Sequence, residues 1–487
     1  MLSSAETEPR QARNARGGCR PRSDQALERA RSGWRTTVAL LALAAGVVSI
    51  PWSGHVDDVD AQFYRVVTRH MLQDNTWFHL RFLPRLFPVF REHSPFGFWP
   101  WAAADRLFGE GALGPLSALF TLATLMLVLR LGRRLGGEAV AVPAVLVLIA
   151  TDSFLLIGGR SRLDPLLFLF TTASVLPVLS EAPTVRHWVL GAAFAALGTL
   201  VKGPFGLIPF AASTAAVAFE RRTWRWLLAG AGLTLAAAVP LGAFLLYQRL
   251  AGDRTWWSLY VEAQLLASAL GERTRGNRPP WYPLGSLAGR FWPGLPLVFL
   301  GLWPVLRRRA TPAQNRLALT TLLVLVALML PHRKVWNHGL IAYPLLALLA
   351  GFGVAPWLRR VVRQRPELRR WGLAALGVMA AVAWALSLLG AGRWFHPPCV
   401  VANEFAPALA RLAPHDRVAV LAQLEPWGMI SIVATETPLD PEPAATPDWS
   451  VATGPRAMLV REDTPVGPPP SPWHIEAVAR GWTLLLR

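Results

Sequence analysis

From Thr36 to Leu389 the chain alternates apolar runs of about 15 to 22 residues with short polar breaks, and a bilayer core takes about 20 residues per helix. The pattern predicts spans near 36–52, 112–131, 139–157, 165–180, 188–201, 204–219, 226–247, 285–305, 316–331, 338–356 and 372–390. About 11 transmembrane helices follow from that count, and with them a polytopic α-helical membrane protein. Two stretches are too long and mixed to be connectors. Residues 53–111 scatter Trp, Phe and Pro among charges, and 248–284 carries the amphipathic Trp256-Trp257-Ser258-Leu259-Tyr260. Both read as amphipathic helices lying against the bilayer, where aromatic rings are accommodated. Beyond about residue 393 the pattern changes. Short apolar runs at Arg417–Leu421, Met429–Ala434, Ala457–Val460 and Trp482–Leu486, separated by Pro-rich turns, predict the strands of a small α/β soluble domain. The expected organisation is a disordered tail (1–35), a transmembrane domain (36–392) and a soluble domain (393–487).

Composition agrees and adds an orientation. Hydrophobic residues make up 53% of the chain, while the net charge is +19. That charge does not indicate a nucleic-acid partner, because the arginines fall mostly between apolar runs, where the positive-inside rule puts them. With the N-terminus in the cytoplasm, Arg133-Arg134, Arg186, Arg221-Arg222, Arg307-Arg308-Arg309 and the Arg359–Arg370 cluster all fall inside, and the C-terminal domain falls outside. Cys19 and Cys399 then face opposite sides and do not form an intramolecular disulfide. The first apolar run is short and Ala-rich like a signal peptide. Its Arg-rich leader is longer than an ordinary n-region, so it reads as an uncleaved helix.

Some charges stand against this bias. Arg160, Arg162, Arg254, Arg273, Arg275, Arg278, Arg333 and Lys334 fall on the outer side, accompanied by Asp57, Asp58, Asp60, Glu92, Asp164 and Glu262. Ionisable groups at a membrane edge are costly and mark function more often than not. Of the 49 basic residues only Lys202 and Lys334 are lysines, both set in apolar sequence. A bed of cations beside a few carboxylates, open to lipid, suits a phosphorylated lipid substrate. An enzyme is one reading; an anionic-lipid transporter or flippase, or an inactive relative of such an enzyme, are the alternatives.

Seven short motifs, in order and over roughly residues 36–390, carry a family resemblance. They are Asp60-Ala61-Gln62-Phe63-Tyr64 with His70-Met71, Glu92-His93-Ser94-Pro95-Phe96 with Trp99, and Arg160-Ser161-Arg162-Leu163-Asp164-Pro165. Lys202-Gly203-Pro204, Arg278-Pro279-Pro280-Trp281-Tyr282, Phe291-Trp292-Pro293, and Lys334 with Tyr343-Pro344 follow. Together these resemble the protein O-mannosyltransferase and aminoarabinose (lipid A) transferase family of the glycosyltransferase C superfamily. The resemblance implies transfer of a sugar from a polyprenyl-phosphate donor to a lipid, glycan or protein acceptor at the periplasmic face of a bacterial inner membrane.

It also implies the site. Asp60, Glu92 and Asp164 take the acidic catalytic positions, with Asp60 the general base for the acceptor hydroxyl. Tyr64, His93, Lys202, Arg278, Tyr282, Arg333, Lys334 and Tyr343 take substrate-binding positions, the cations among them neutralising the departing phosphate. Helix capping is a second reading for Asp60, which can open the helix holding Tyr64, and for Asp164, which precedes Pro165. Three departures stand out. Ala61 replaces the family's usual Glu, His93 its usual Lys, and Ala263 a His that some members carry. Use of a divalent metal is left open, with Glu92 and His93 as the candidate ligands.

Overall fold

The computed structural model describes residues 22–49, 59–83, 88–179, 183–273, 276–365, 367–389 and most of 401–487. Cys19 and Cys399 lie outside those residues.

The chain opens with α1 (Arg22–Ser49), which begins inside the segment expected to be a disordered tail, then the amphipathic α2 (Val59–Gln73) and the short α3 (Trp99–Phe108). Next come α4 (Leu113–Gly136), α5 (Glu138–Ile149), α6 (Asp152–Gly158), α7 (Asp164–Val178) and α8 (Val185–Lys202). They are followed by α9 (Ile208–Arg221) and α10 (Trp224–Leu250). A π-helical segment, Trp256–Leu266, runs into α11 (Ala267–Leu270). The bundle finishes with α12 (Tyr282–Arg290), α13 (Leu295–Leu306), α14 (Pro312–Met329), α15 (Tyr343–Gln364) and α16 (Leu368–Leu388).

Each of the eleven expected spans falls on one of these helices or on a pair. Among the described residues six helices are long and apolar enough to cross a membrane, or seven if the α5–α6 pair, bent by 73°, is a single broken span. The apolar helices α7 and α13, and the apolar part of α1 (Gly33–Ser49), are shorter. Many helix starts are written in the sequence. α3, α7, α9, α12, α13, α14 and α15 each carry Pro in the first two positions, where the missing N–H costs nothing and φ is already helical.

Small residues set the packing, as in other membrane bundles. A Cβ on Gly301 of α13 would meet the Leu349 carbonyl oxygen of α15 at 2.0 Å, and one on Gly351 of α15 would meet the Val140 oxygen of α5 at 2.2 Å. α15 is accordingly the most enclosed of the long helices, whereas α10 and α16 lie at the periphery. The last helix returns to the first: Ser49 and Ser387 share a hydroxyl hydrogen bond of 2.8 Å, and Trp384 Nε1 donates to the Ala42 oxygen at 3.0 Å.

The C-terminal domain holds a five-stranded sheet of β1 (Arg417–Leu421), β2 (Asp440–Ala444), β3 (Ala457–Arg461), β4 (His474–Ala479) and β5 (Trp482–Leu486), in the order β2-β1-β3-β5-β4. β1 runs parallel to β2 and β3, while β5 is antiparallel to β3 and β4. Three of the four expected strands are present. The fourth, Met429–Ala434, is helical where described, because its buried residues Met429, Ile430, Val433 and Ala434 recur with helical and not alternating spacing. The two unexpected strands are the sheet's edges. β2 reads Asp-Pro-Glu-Pro-Ala, and Pro is tolerated in a strand only at an edge. The domain rests on α2, where Arg69 Nη1 donates to the Ala434 oxygen at 3.2 Å.

Candidate active site

α2 is the platform. Its apolar residues Ala61, Tyr64, Val66, Val67 and Met71 are buried, and its polar side carries Asp60, Arg65 and Arg69. Asp60 lies in the first turn, where a carboxylate complements the helix dipole. The two arginines fix the other end: Arg65 Nη2 and Arg69 Nη2 pair with Glu110 at 2.9 and 3.1 Å.

From that first turn Asp60 reaches Arg162, whose Nη2 stands 2.5 Å from Oδ2. The same guanidinium donates from Nε to Asp164 Oδ2 at 3.0 Å, and the other Asp164 oxygen accepts from Lys202 Nζ at 2.8 Å. Two carboxylates and two cations thus alternate along one chain of contacts. The Asp164 and Arg162 side chains are 2% and 6% exposed, whereas that of Asp60 is 50% exposed. Leu163, not Asp164, is the N-cap residue of α7 and it makes no side-chain capping bond; the Asp164 carboxylate is committed to the ion pairs. Lys202, at 8% exposure, is held by Asp164.

One turn after Asp60, the Tyr64 hydroxyl and His93 Nε2 share a hydrogen bond of 2.8 Å. Burial and then the Asp60 charge hold the Tyr64 phenol well above its usual pKa. Burial and then the Lys202 ammonium hold the His93 imidazole well below its own. The bond therefore joins two neutral groups, and His93 does not supply the positive charge of the lysine it replaces. Glu92, beside it, is exposed. Among the described residues no group of three His, Cys, Asp or Glu side chains could hold a metal ion. With Nε2 of His93 turned to Tyr64, the candidate pair lacks a third ligand among the described residues and does not fit a metal ion.

The loop bearing Glu92 and His93 is anchored by Arg91, a residue with no role in the sequence-based expectations. Its side chain is 3% exposed and pairs with Asp253 at 3.1 Å. It also donates to the Leu80 and Phe90 oxygens, and it lies 4.4 Å above the Trp256 ring. One guanidinium thereby locks the first interfacial segment to the second.

Two further segments form a clasp. Backbone bonds run from Arg333 N to the Ser268 oxygen, from Lys334 N to the Gly276 oxygen and from Arg278 N to the His332 oxygen, at 3.0, 2.9 and 3.1 Å. The Lys334 ammonium donates to the carbonyl oxygens of Arg278 and Pro331 inside this clasp. Arg333 is drawn below its usual pKa by burial and by the neighbouring Arg273, against the pull of Glu92 and Asp60. Buried nitrogens on both arginines, Nε of Arg333 and Nη1 of Arg273, have no hydrogen-bond partner among the described residues. Arg333, Lys334, Trp336 and His338 line a tight cleft with Phe205. His338 stacks on Phe205, ring centroids 4.3 Å apart.

The structure therefore brings Asp60, Asp164 and Lys202 into one network and Tyr64 and His93 into a pair beside it. It uses Lys334 to brace a loop. Arg278 is exposed with its guanidinium 5.5 Å from the Tyr282 ring, and Tyr343, 1% exposed, packs on Phe291 in the core. Asp57, Asp58 and Arg275 lie outside the described residues. Sequence reasoning gave no role to Arg162, the hinge of the network, although it stood in a quoted motif and among the misplaced charges. His338 sits four residues beyond Lys334 and carried no signal.

Comparison with known proteins agrees with this architecture. Residues 92–247 match the family described as dolichyl-phosphate-mannose-protein mannosyltransferase. The chain is 24% identical over 253 residues to an undecaprenyl phosphate-α-4-amino-4-deoxy-L-arabinose arabinosyl transferase of Proteus mirabilis, a match covering 50% of this chain and 43% of that relative's length. The match thus spans less than half of that relative. ArnT from Cupriavidus metallidurans, solved bound to undecaprenyl phosphate, superposes with a TM-score of 0.69 at 18% identity, covering 96% of this chain and 98% of its own. The archaeal oligosaccharyltransferase AglB from Archaeoglobus fulgidus, solved with an inhibitory peptide and a dolichol-phosphate, gives 0.50 at 12% identity, covering 89% and 70%. The class is thereby defined as a multi-pass membrane protein of the glycosyltransferase C fold. Within it, the fold is like that of ArnT along nearly the whole length of the chain.

Proposed function

We propose that the protein is an integral-membrane glycosyltransferase that moves a sugar from a polyprenyl-phosphate donor to a lipid, glycan or protein acceptor on the periplasmic side of a bacterial inner membrane. The observation that carries this reading is the half-exposed Asp60 held on a buried Arg162–Asp164–Lys202 network. Asp60 takes the proton of the acceptor hydroxyl as the oxygen attacks the sugar's anomeric carbon, and the bond to the carrier phosphate breaks. Arg162 holds one Asp60 oxygen and so aims the other. Arg333, near Glu92 and Asp60, and its neighbour Arg273 each carry a buried nitrogen with no partner among the described residues and receive the phosphate charge as it develops. Glu92 and the Tyr64–His93 pair border the sugar, while Arg278 and Tyr282 guard the lipid-side approach.

The test is turnover of a panel of radiolabelled polyprenyl-phosphate sugars by the purified protein with candidate acceptors, run beside Asp60→Asn. Release of one sugar by the wild type and none by the variant is expected. Equal release by both would refute the assignment of Asp60.

A further inference from the structure

A second cavity lies apart from this network. It opens between α12 and the bend of the α5–α6 pair, has a volume of about 630 Å³, and is lined by Asp152, Trp281, Tyr282, Gly289, Arg290 and Trp292 among others. Two charges of opposite sign stand on its walls. Asp152 is exposed at the start of α6, inside a stretch apolar enough to be a broken span. Its one hydrogen bond among the described residues is Oδ1 accepting from the Ser153 N–H at 2.5 Å. Arg290 ends α12 exposed, its guanidinium 3.9 Å over the Trp336 ring. Neither forms an ion pair among the described residues, with the other or with a third residue.

The N–H of the next residue, Ser153, accounts for one oxygen of Asp152, and aromatic stacking for one face of Arg290. Neither accounts for placing both charges, with no ion pair among the described residues, around one opening beside an apolar broken span, where isolated ions are costly. The walls fit an occupant. A Cβ on Gly285 or Gly289 would meet nothing within 4 Å, so bare backbone forms that side. Trp281 and Trp292, 66% and 69% exposed, are the residue type that settles at lipid head-group level and attracts ammonium groups.

We infer that this cavity holds a lipid head group carrying both a phosphodiester and a primary ammonium, the ammonium on Asp152 and the phosphate oxygens on Arg290. Such chemistry has two sources, a bulk aminophospholipid and a carrier-linked amino sugar. The inference does not rest on the catalytic reading, because occupancy can be measured without turnover.

The full-length protein is reconstituted in phosphatidylglycerol nanodiscs, phosphatidylethanolamine is titrated in, and retained lipid is counted by native mass spectrometry. Wild-type protein should retain one phosphatidylethanolamine about tenfold more strongly than added phosphatidylglycerol, which corresponds to about 1.4 kcal/mol. Asp152→Asn should remove that preference, Arg290→Gln should weaken retention of both lipids, and Gly289→Leu, which fills the cavity without touching a charge, should remove retention itself. Equal retention of both lipids by the wild type, unchanged preference in Asp152→Asn, or unchanged retention in the other two variants would overturn the inference. A second arm adds a polyprenyl-phosphate amino sugar and, separately, unmodified polyprenyl phosphate. Displacement of the retained lipid by the amino sugar alone assigns the cavity to the donor; displacement by neither assigns it to bulk lipid.

Discussion

Asp60 and Asp164 grip the same guanidinium, yet their surroundings differ: one side chain is 50% exposed and the other 2%. Asp164 has both oxygens engaged, by Arg162 and Lys202, and its burial keeps them from a substrate. Asp60 shares one oxygen with Arg162 and presents the rest of its carboxylate to solvent. Identical functional groups at neighbouring points of one network therefore divide into a reactive end and a supporting end. The division is made by burial, and it can be attacked from either side.

The largest effect should come from the reactive end. Asp60→Asn preserves the shape and one hydrogen bond to Arg162 but removes the base, and donor turnover should fall by about 10²–10⁴-fold with an unchanged melting temperature in detergent. At the supporting end the damage should move to stability. Asp164→Ala leaves Lys202 a buried cation with no ion-pair partner among the described residues and Arg162 held by Asp60 from one side only, which costs about 3–5 kcal/mol. Thermal unfolding should show it as a large fall in melting temperature, and Asp164→Leu combined with Lys202→Met should recover part of that loss. If Asp164→Ala kept its stability and lost only turnover, the division would be wrong.

A smaller effect separates the two ends at Tyr64. Tyr64→Phe strands His93 Nε2 and should cost about 1–3 kcal/mol, read as a lowered melting temperature that His93→Phe in the same background does not deepen. The smallest is a pH effect. His93 is neutral in the folded protein because its folded pKa lies well below the usual 6.5, so the unfolded chain binds the proton more readily. Its contribution to stability is complete above pH 6.5 and is lost as pH falls from there toward the folded pKa. His93→Gln should flatten that part of the stability profile measured by denaturation between pH 7.5 and 5.5.

Much of this was readable in the chain. The spans followed from apolar run length, and the Pro-led helix starts fixed many of their beginnings. Asp60, Asp164 and Lys202 were singled out as charges in places where charge is costly. What the residues could not reveal was pairing. Lys202 and Lys334 looked alike as lone ammonium groups in apolar sequence, yet one neutralises Asp164 and the other braces carbonyl oxygens in a loop. That difference depends on which distant segment each meets, across 38 residues for Lys202 and 56 for Lys334. The Met429–Ala434 run misled for a related reason. Short apolar runs have the same content in helix and strand, and only the packing of Met429 and Ile430 with Val433 and Ala434 distinguishes them.

The contact between α1 and α16 bears on how the protein is made. Ser49 and Ser387 are 338 positions apart in sequence, so the first helix enters the bilayer long before its partner has been synthesised. Until then the face around Ala42, Gly46 and Ser49 has only lipid, or a neighbouring protein, to lie against. Gly46 leaves a Cβ-sized gap that Ala383 and Trp384 later close to about 3.0 Å. The bundle is sealed by its last helix, and a ribosome that stalls before about residue 388 releases a chain whose opening segment has no resting place.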